Sequence, residues 1–582
     1  MRKTCRQCQQ NFEITDENLK FYEKVSPIFG GKKYLIPAPS LCPDCRQQKK
    51  LAWRNERNLY HRQCDLTGKN ILSSASKDKK YPVYDREIWW SDKWNALDFG
   101  KNFNFNKSFF AQFEKLKDLI PRLNLQQQHP MINSDYCNCA GRNKNCYLTF
   151  CTNNSEDCYY NYWANYSKNC IDNSNILNCE LCYECIDCTD CYNVKFSQYC
   201  KNCSDSFFLK NCVGTKNSIF CTNTNNKEYY IFNKAVSKEE FKNYLQKFSS
   251  FKNLEKAKIE FQDFCKNMIV KEYFGTQNEN ISGNVLNNCK NIFNSYDCYD
   301  CEDGSNLICV GDHVKDCMDY CYWGLNAEQI YESLSCGINV FNLLFCNLCW
   351  DNCYNLIYCD HCTSSKNCFG CSGLKHKQYC ILNKQYTKEE YEKLVPKIIE
   401  SMIKNDEYGE FFPSSISPFG YNETVAQEYF PLTKSAVGNA DLHSLQRFNW
   451  SDFEPEFPKV EKIIPANLLP DTILDIPRQE DVGQANDILN WAILPVDMPW
   501  QGISTNRPFK IIKPELEFYR KMNLPIPHLH PDERHKKRME LRNPRKLWKR
   551  NCMKCNAEIQ TTYSPDRSEI LYCEKCYLKE VY

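Results

Sequence analysis

The segment CELCYECIDCTDCYN, residues 179–193, places five cysteines at an unbroken three-residue interval. Cysteine accounts for 40 of the 582 residues of the chain. A metal cluster, a set of disulfides and a repeat with packed thiols all give such a pattern. The composition and the spacing of the remaining cysteines decide between these three interpretations.

The composition predicts a soluble cytoplasmic protein. The net charge is only +2, so any nucleic-acid or membrane argument depends on local clusters of charge. The first 20 residues contain no apolar stretch of signal-peptide length, and no window approaches the roughly 18 apolar residues of a membrane-spanning helix. We therefore expect no membrane partner. Because cytoplasmic thiols are kept reduced, disulfides are the disfavoured interpretation.

The cysteines fall into two arrays of similar sequence. Residues 137–221 contain fifteen cysteines, and residues 289–380 contain fifteen more. The segment that closes the first array, FNKAVSKEEF (232–241), matches LNKQYTKEEY (382–391) at an offset of 150 residues. This agreement predicts an internal duplication.

Each closing segment is expected to begin a helix. Ser237 and Thr387 are candidate N-caps, and Glu240 and Glu390 follow three residues later to complete a capping box. Each predicted unit is therefore a cysteine array followed by a helical segment.

Within the arrays, cysteines recur at nine-residue spacing among Asn, Asp, Ser and single aromatic residues. Helical periodicity is absent, and regular short strands separated by turn residues are typical of a β-solenoid. A thiol is a small hydrophobic group that stacks on its equivalent in the next coil, while Asn tolerates left-handed corners and can form hydrogen-bonded ladders. We expect coils of about 18 residues, or two such units. Metal binding within the arrays is a less favoured alternative, since a metal store does not need the interleaved aromatic residues.

Two sets of paired CxxC motifs lie at the chain ends. Four thiolates from two CxxC turns complete a tetrahedral zinc site, so we predict two zinc ions per chain. The candidate ligands are Cys5, Cys8, Cys42 and Cys45 at the N-terminus, and Cys552, Cys555, Cys573 and Cys576 at the C-terminus.

The two terminal segments also align with each other. PSLCPDCRQQKKLAWRNERNLYHRQC (39–64) matches PHLHPDERHKKRMELRNPRKLWKRNC (527–552). Each end is thus expected to be one copy of a two-site module that keeps the site which the other copy has lost. The degraded positions are Cys64, Thr67, Asp85 and Ile88 in the first copy, and Gly502, Thr505, His530 and Glu533 in the second. Neither degraded set offers enough soft ligands for tight zinc binding.

The pattern Cys5-x2-Cys8, Phe12, Phe21-Tyr22 and CPDCR (42–46) resembles a zinc-ribbon (treble-clef) family of small bacterial proteins over residues 5–50. The whole chain also resembles a cysteine-rich zinc-ribbon family of candidate-phyla-radiation bacteria. That resemblance is carried by RNERNLYHRQCDLTGK, WWSDKW, SPFGYNET and YSPDRSEILYCEKCYLKEVY. It implies zinc binding at the eight terminal cysteines and implies no particular activity.

The segment after the first zinc site is basic in both copies. It carries six Lys or Arg from 46 to 62 and nine from 534 to 550, with one Glu in each. Basic side chains at helical spacing near aromatic residues are typical of nucleic-acid binding, and Trp53, Tyr60 and Trp548 are candidates for stacking on bases. The candidate nucleic-acid-binding residues are Arg46, Lys50, Arg54, Arg57, Arg534, Arg538 and Arg542. A solvated helix face and an acidic protein partner are the open alternatives.

The expected fold class is mainly β with α. The predicted organisation is an N-terminal zinc-ribbon module (1–90), an aromatic-rich linker and helix (91–130), solenoid array A (131–233), a helical segment (234–280), solenoid array B (281–384), a helix (385–404), a Pro-rich extended segment (405–501) and a C-terminal zinc-ribbon module (502–582).

No catalytic motif is found, and we predict a non-enzymatic protein. The favoured function is that of a zinc-stabilised protein that binds nucleic acid, RNA or DNA with RNA favoured, through the basic helices of the terminal modules. One alternative is a β-solenoid scaffold for protein partners. A second alternative is a redox or metal-storage protein that uses the cysteine arrays.

Overall fold

The computed structural model describes residues 1–437, 447–454, 460–478, 487–496 and 507–581. Strands predominate over helices, so the expected class, mainly β with α, is confirmed. The α-helices are α1 (Asp16–Val25), α2 (Pro43–Leu51), α3 (Arg86–Trp90), α4 (Phe109–Lys117), α5 (Lys238–Leu245), α6 (Phe251–Lys266), α7 (Lys388–Lys404), α8 (Val425–Tyr429), α9 (Lys434–Val437), α10 (Lys513–Met522), α11 (Pro531–Glu540) and α12 (Glu574–Val581).

Outside the main sheets of the arrays, strands pair two by two, and one of these pairs joins Gln127–Gln128 to Ala140–Gly141 at the start of array A. The antiparallel pairs are Arg2–Thr4 with Asn11–Glu13, Ile28–Phe29 with Lys32–Lys33, Tyr60–Gln63 with Asn70–Ser73, and Trp548–Asn551 with Glu558–Thr561. The parallel pairs are Val83–Tyr84 with Arg122–Leu123, Gln127–Gln128 with Ala140–Gly141, Ile269–Lys271 with Ile570–Tyr572, and Lys462–Pro465 with Trp491–Leu494.

In array A, successive segments pair in parallel at a fixed offset, as Ser174 pairs with Ile186 and Ile186 with Gln198. Hydrogen bonds between neighbouring segments, such as that from the N–H of Cys185 to Asn173, join residues 12 positions apart. The predicted coil of two nine-residue units is therefore wrong. One turn of array A, called a rung below, is 12 residues long. The strands are Tyr162–Asn165, Ser174–Leu177, Ile186–Thr189, Tyr192–Lys195, Ser204–Lys210, Ile219–Thr222, Tyr230–Ile231 and Lys234–Ala235.

Array B follows the same plan with a less regular rung. Side-chain hydrogen bonds between adjacent rungs join positions separated by 11 at its start (Asn280 with Asn291), by 13 in its middle (Asn342 with Asn355) and by 12 near its end (Asn355 with Asn367). The sheet consists of Gly275–Thr276, Glu279–Asn287, Lys290–Ser305, Ile308–Gly324, Glu328–Leu334, Phe341–Leu344, Tyr354–Ile357, Lys366–Phe369, Cys380–Ile381 and Lys384–Gln385.

A three-residue unit builds array A. Every third residue from Cys139 to Phe232 has a φ angle between 47° and 60°, which is the left-handed region. Every third residue from Ser134 to Thr224, in a different frame, is buried. Each unit therefore contains one inward residue, one outward residue and one left-handed corner, and four units complete a rung. The three-residue cysteine interval of 179–193 is the inward frame of this unit.

The inward thiols bond to backbone carbonyls. The Sγ of Cys170 donates to the carbonyls of Lys168, at 3.2 Å, and Cys179, at 3.5 Å. Other inward cysteines repeat these contacts with the carbonyls two residues before and nine residues after them. The nine-residue recurrence in the sequence therefore corresponds to three of the three-residue units, whereas a full rung contains four. These thiols pack inside the array, and among the described residues none of them belongs to a group of three or more candidate metal ligands.

Inward side chains also satisfy backbone N–H groups that have no strand partner. The N–H of Asn173 donates to Oδ1 of Asn161 in the preceding rung at 2.8 Å, and the N–H of Cys185 donates to Oδ1 of Asn173 at 2.8 Å. Ser167 does the same for the N–H of Cys179 at 3.2 Å. An inward acceptor removes the cost of burying an unpaired N–H, so Ser, Thr and Asn alternate with Cys in this frame.

The predicted asparagine ladders are present at the left-handed corners. Nδ2 of Asn178 donates to Asp190 at 2.7 Å, and Nδ2 of Asn211 donates to Asn223 at 2.8 Å. Asn and Asp suit these positions because they tolerate positive φ and their side chains bridge adjacent rungs.

Both arrays end in the same way. An antiparallel hairpin closes each one, Tyr230–Ile231 with Lys234–Ala235 in array A and Cys380–Ile381 with Lys384–Gln385 in array B. Helices α5 and α7 then begin with the two predicted capping boxes, which are confirmed.

The segment predicted to be Pro-rich and extended packs against the N-terminal module over residues 405–437, whereas Asp471 contacts Ser250 at the start of α6. Between residues 405 and 437 it forms short helical turns, Ser414–Ile416 and Tyr421–Glu423, before α8 and α9. Phe412 stacks on Trp53 with ring centroids 5.0 Å apart. None of the helices in the described ranges has the length and apolar character needed to cross a membrane.

The narrow interior of array A makes a specific prediction about Cys188. This residue is fully buried and lies directly beside Ile176 of the preceding rung. We expect Cys188→Leu to lower the free energy of unfolding by about 1–3 kcal/mol, because the added methyl groups meet that Ile. Cys188→Ser should cost less, since Ser197 already donates to a carbonyl, that of Lys195, from an inward position. Urea unfolding followed by circular dichroism measures both, and equal stability of the two variants contradicts the packing account.

Candidate metal centres

The N-terminal cysteines converge on one point. Cys5 and Cys8 lie in the turn between strands Arg2–Thr4 and Asn11–Glu13, whereas Cys42 is the N-cap of α2 and Cys45 lies in its first turn. All four Sγ atoms lie within 4.8 Å of one another. The Sγ atoms of Cys8 and Cys42 are 3.7 Å apart, and the N–H of Cys42 donates to Sγ of Cys5 at 3.3 Å. This geometry fits one tetrahedral metal ion.

The C-terminal cysteines repeat the arrangement. Cys552 and Cys555 follow strand Trp548–Asn551, while Cys573 and Cys576 lie at the start of α12. Their Sγ atoms also lie within 4.8 Å of one another, with Cys555 and Cys573 3.8 Å apart. The N–H of Cys573 donates to Sγ of Cys552 at 3.2 Å. Both predicted four-cysteine sets are therefore assembled, and each has the donor chemistry that zinc prefers.

Hydrogen bonds favour thiolates in both clusters. The thiol of Cys45 donates to Cys42, which lowers the pKa of Cys42 to about 5 and raises that of Cys45. Burial opposes ionisation of Cys552, but N–H groups of Cys573, Cys555 and Lys554 lower its pKa to about 6. A metal ion needs deprotonated sulfur, so each cluster already stabilises one ligand in the required form.

The positions predicted to be degraded sites form no candidate metal-binding group among the described residues. Cys64 lies in the turn after strand Tyr60–Gln63, and its Sγ accepts the N–H of Asp85 at 3.3 Å. In the second copy, His530 is the N-cap of α11, and within the described ranges it forms no metal-binding group with Glu533. Gly502 and Thr505 lie outside the described residues.

The basic residues predicted to bind nucleic acid face inward. Arg46 and Lys50 of α2 are 3% and 1% exposed, and Arg534 and Arg538 of α11 are 4% and 2% exposed. The expected solvent-facing stripe is therefore wrong at these positions, because carboxylates of the arrays already hold the charges.

The two helices dock on different arrays. In the N-terminal module, Arg46 pairs with Asp319 at 2.9 Å and Lys50 pairs with Glu332 at 3.3 Å, both in array B. In the C-terminal module, Arg534 and Arg538 share Asp172 of array A, and the second of these pairs measures 3.0 Å. All three acidic residues occupy left-handed corners, which point their side chains out of the array.

The other predicted basic residues lie where the modules and the arrays meet. Arg54 pairs with Glu56 and donates to Oγ of Ser335 at 2.5 Å. Arg57 pairs with Asp532 of the C-terminal module at 3.1 Å. Arg542 bridges Asp187 of array A, at 3.0 Å, and Asp297 of array B. Although burial opposes ionisation, Arg542 and Arg545 keep the pKa of Asp297 below its usual range.

The aromatic residues considered for base stacking also contact other residues of the chain. Trp53 is 1% exposed, and Tyr60 is 6% exposed and donates its hydroxyl to Glu423 at 2.8 Å. Trp548 is partly buried, and the centre of its ring lies 5.5 Å from Nζ of Lys546. The rings of Trp53 and Tyr60 therefore belong to the packing between segments.

A third group of candidate ligands was not predicted. Glu56, Cys139 and Cys151 place one carboxylate oxygen and two Sγ atoms within 4.8 Å of one another. The sequence does carry a signal for it, because Cys139 and Cys151 fall outside the inward three-residue frame of the other thirteen cysteines of array A.

A cleft of about 1260 Å³ adjoins the N-terminal four-cysteine cluster. Its walls come from the N-terminal module, the start of array B, residues 427–431 and helix α11 with the loop that follows it. Cys8, Cys42 and Cys45 form part of the lining.

Comparison with protein-family models gave no match for this chain, and comparison with curated proteins gave none either. The zinc-ribbon resemblance of the terminal modules therefore stays a prediction.

Substitution of one ligand should remove one metal ion from its cluster. We expect Cys8→Ser and Cys555→Ser each to lower the zinc content by about one equivalent per chain, because three remaining sulfurs hold zinc far less tightly. Inductively coupled plasma mass spectrometry measures the change. Cys265→Ser is the control, since Cys265 lies on α6 away from both clusters. Unchanged zinc content in both ligand variants contradicts the assignment.

The buried pairs predict a large difference between two basic residues that both bind array B. Arg46→Ala should lower the free energy of unfolding by about 3–5 kcal/mol, because it leaves Asp319 buried without its partner. Lys24→Ala should cost about 0–1 kcal/mol, since Lys24 is 46% exposed although its Nζ lies 2.8 Å from Asp316. Chemical denaturation measures both values, and similar losses for the two variants contradict the docking role.

Proposed function

We propose that the chain is a non-enzymatic, zinc-stabilised scaffold in which two duplicated β-solenoids are held together by terminal zinc modules and bind a polypeptide partner. The regular parallel pairing along array A and the similar, slightly variable pairing along array B support two solenoids. The common hairpin-and-helix ending of both arrays supports the duplication.

Zinc is the metal that we assign to both four-cysteine clusters. A complete set of four thiolates leaves no open coordination position, which is typical of a structural site. Each ion would fix a hairpin turn to the start of a helix, α2 in one module and α12 in the other. The zinc ions would thus keep the modules in the shape that docks on the arrays.

The observation that carries the proposal is the docking of both basic helices onto array carboxylates. Arg46 contacts Asp319 and Arg534 contacts Asp172, so these guanidinium groups are not available to a phosphate backbone. Arg46 and Arg534 therefore act within the chain, whereas the cleft beside the N-terminal four-cysteine cluster offers an accessible concave surface. The solenoid scaffold therefore becomes the favoured function, in place of nucleic-acid binding through α2 and α11.

The cleft suits a polypeptide better than a polyanion. Its volume of about 1260 Å³ exceeds the roughly 300–1,000 Å³ of ordinary small-molecule pockets. Its walls carry both signs of charge, with Asp44, Glu428 and Glu540 beside Lys536 and Lys546. Carboxylates in the wall repel nucleic acid, whereas a peptide with charges of both signs can pair with each group.

Metal storage or redox chemistry in the arrays is less supported. Inward thiols such as Cys182 are fully buried and donate to carbonyls, at 3.5 Å from Cys191 O in this case. A thiol in such a position offers no free face to a metal ion. In the described ranges, candidate metal groups fall only at the two terminal clusters and at the Glu56 group.

Selection from a random linear-peptide display library tests the proposal. Peptides that bind the purified chain should bind about tenfold more weakly to the double variant Glu540→Lys/Lys546→Glu, because both changes invert charge in the cleft wall. The matched control is Glu239→Lys/Lys242→Glu on α5, which exchanges the same residue types on exposed positions outside the cleft. Binding that is equally strong in all three proteins contradicts the cleft assignment.

A short single-stranded RNA provides the second arm. We expect no salt-sensitive binding at about 100 mM salt, since the buried arginines are already paired. Tight, salt-sensitive binding that survives the cleft substitutions would favour the nucleic-acid function instead.

A further inference from the structure

We infer that Glu56, Cys139 and Cys151 form a third metal site, which binds a zinc-like divalent cation at the junction of array A and the N-terminal module. The carboxylate comes from the segment after α2, whereas the two thiols come from the first rungs of array A. Their ligand atoms lie within 4.8 Å of one another. This site is separate from the two four-cysteine clusters.

The two thiols are exceptions within array A. The other thirteen cysteines of the array occupy inward positions, where they pack against neighbouring rungs. Cys139 and Cys151 instead occupy left-handed corners of adjacent rungs, with φ of 52° and 54°. At the same corner of later rungs, the chain has Asn211 and Asn223, whose side-chain amides are hydrogen-bonded to each other. Interior packing therefore does not explain why cysteine occupies these two corners.

Glu56 completes the group with an oxygen that lacks a partner. The residue is 2% exposed, and its Oε2 has no hydrogen-bond partner among the described residues. A buried carboxylate oxygen without a partner is costly, so it indicates a ligand. The backbone holds this residue in place, because Nδ2 of Asn138 donates to the carbonyl of Glu56 at 3.1 Å.

Arg54 has the contacts expected of a group that orients metal ligands. Its Nε donates to Oε1 of Glu56, which leaves Oε2 free for the ion. Its Nη2 lies 3.6 Å from Sγ of Cys151. Hydrogen bonds of this kind orient ligating carboxylates and thiolates in metal sites. The charges also balance, since one divalent cation and one guanidinium neutralise two thiolates and one carboxylate.

A fourth ligand can come from water. A cavity of about 30 Å³ is lined by Arg54 and Cys139, together with Ser335 and His361 of array B. A space of that size holds one or two water molecules. Two sulfurs, one oxygen and one water complete a tetrahedral zinc shell. When the ion binds, the two thiol protons are released to solvent.

Metal analysis of a matched corner variant tests this site. The double variant Cys139→Asn/Cys151→Asn replaces the two thiols with the residues found at the same corner of later rungs, Asn211 and Asn223. The array should therefore still fold. We expect this variant to bind one equivalent of zinc fewer than the unsubstituted chain, as measured by mass spectrometry after equilibration with zinc and desalting. Glu56→Gln should also lose that equivalent at limiting free zinc.

Cys309→Ser is the matched control. Cys309 is a corner cysteine of array B that also contacts an arginine, with Nη2 of Arg545 3.0 Å from its Sγ, but it belongs to none of the metal groups found among the described residues. Its substitution should leave the zinc content unchanged. Circular dichroism verifies that each variant is folded.

Cobalt gives an independent measurement. In a Cys8→Ser/Cys555→Ser background, which weakens both terminal clusters, added Co²⁺ should still produce sulfur-to-cobalt charge-transfer absorption. The band should weaken markedly when Cys139→Asn/Cys151→Asn is added. Zinc content and cobalt absorption that are unaffected by the corner substitutions would overturn the third site.

Discussion

The structure depends on a three-residue unit that turns the backbone through a left-handed corner and buries one small side chain. Four such corners close each rung of array A, and most of the inward positions hold small side chains. The inward N–H groups cannot all pair with the neighbouring backbone, so inward oxygen atoms accept them, as Asn161 does for Asn173. Cysteine, serine, threonine and asparagine satisfy the size limit and can form hydrogen bonds in the interior. Aliphatic residues such as Ile176 and Leu209 also occur inward, so the size limit varies from one rung to the next.

The corners that shape the rungs also bind the terminal modules. A residue with positive φ points its side chain away from the rung, and Asp172, Asp319 and Glu332 are all in such positions. Each of these carboxylates is fully or almost fully buried by a basic helix of one module. A buried charge without its partner is very unfavourable. Each helix must therefore lie in the one orientation that brings its basic residues to these carboxylates. These ion pairs specify how the terminal modules sit on the arrays more than they add to stability.

Each of the two basic helices docks on the array that is more distant from it in the sequence. Helix α2 of the N-terminal module docks on array B and helix α11 of the C-terminal module docks on array A, so the chain must fold back on itself before either helix can dock. The pairs that join them span 273 residues for Arg46 with Asp319 and 362 for Arg534 with Asp172. The same folding back brings Arg54 and Glu56 against the corner cysteines of array A and creates the group that we assign to a third metal ion.

The sequence by itself determined the local features of this protein. The inward thiols, the asparagine corners, the capping boxes and the four-cysteine sets each depend on residues close together or on a motif of fixed spacing, and all are present as predicted. The rung length was predicted wrongly, because a nine-residue recurrence fits any rung built from three-residue units. The basic helices looked like a solvent-facing stripe, because helical spacing shows which residues share a face but does not show what covers it. Only the tertiary structure decided that array carboxylates cover those helices and that Glu56 meets Cys139 and Cys151, since these partners are far apart along the chain.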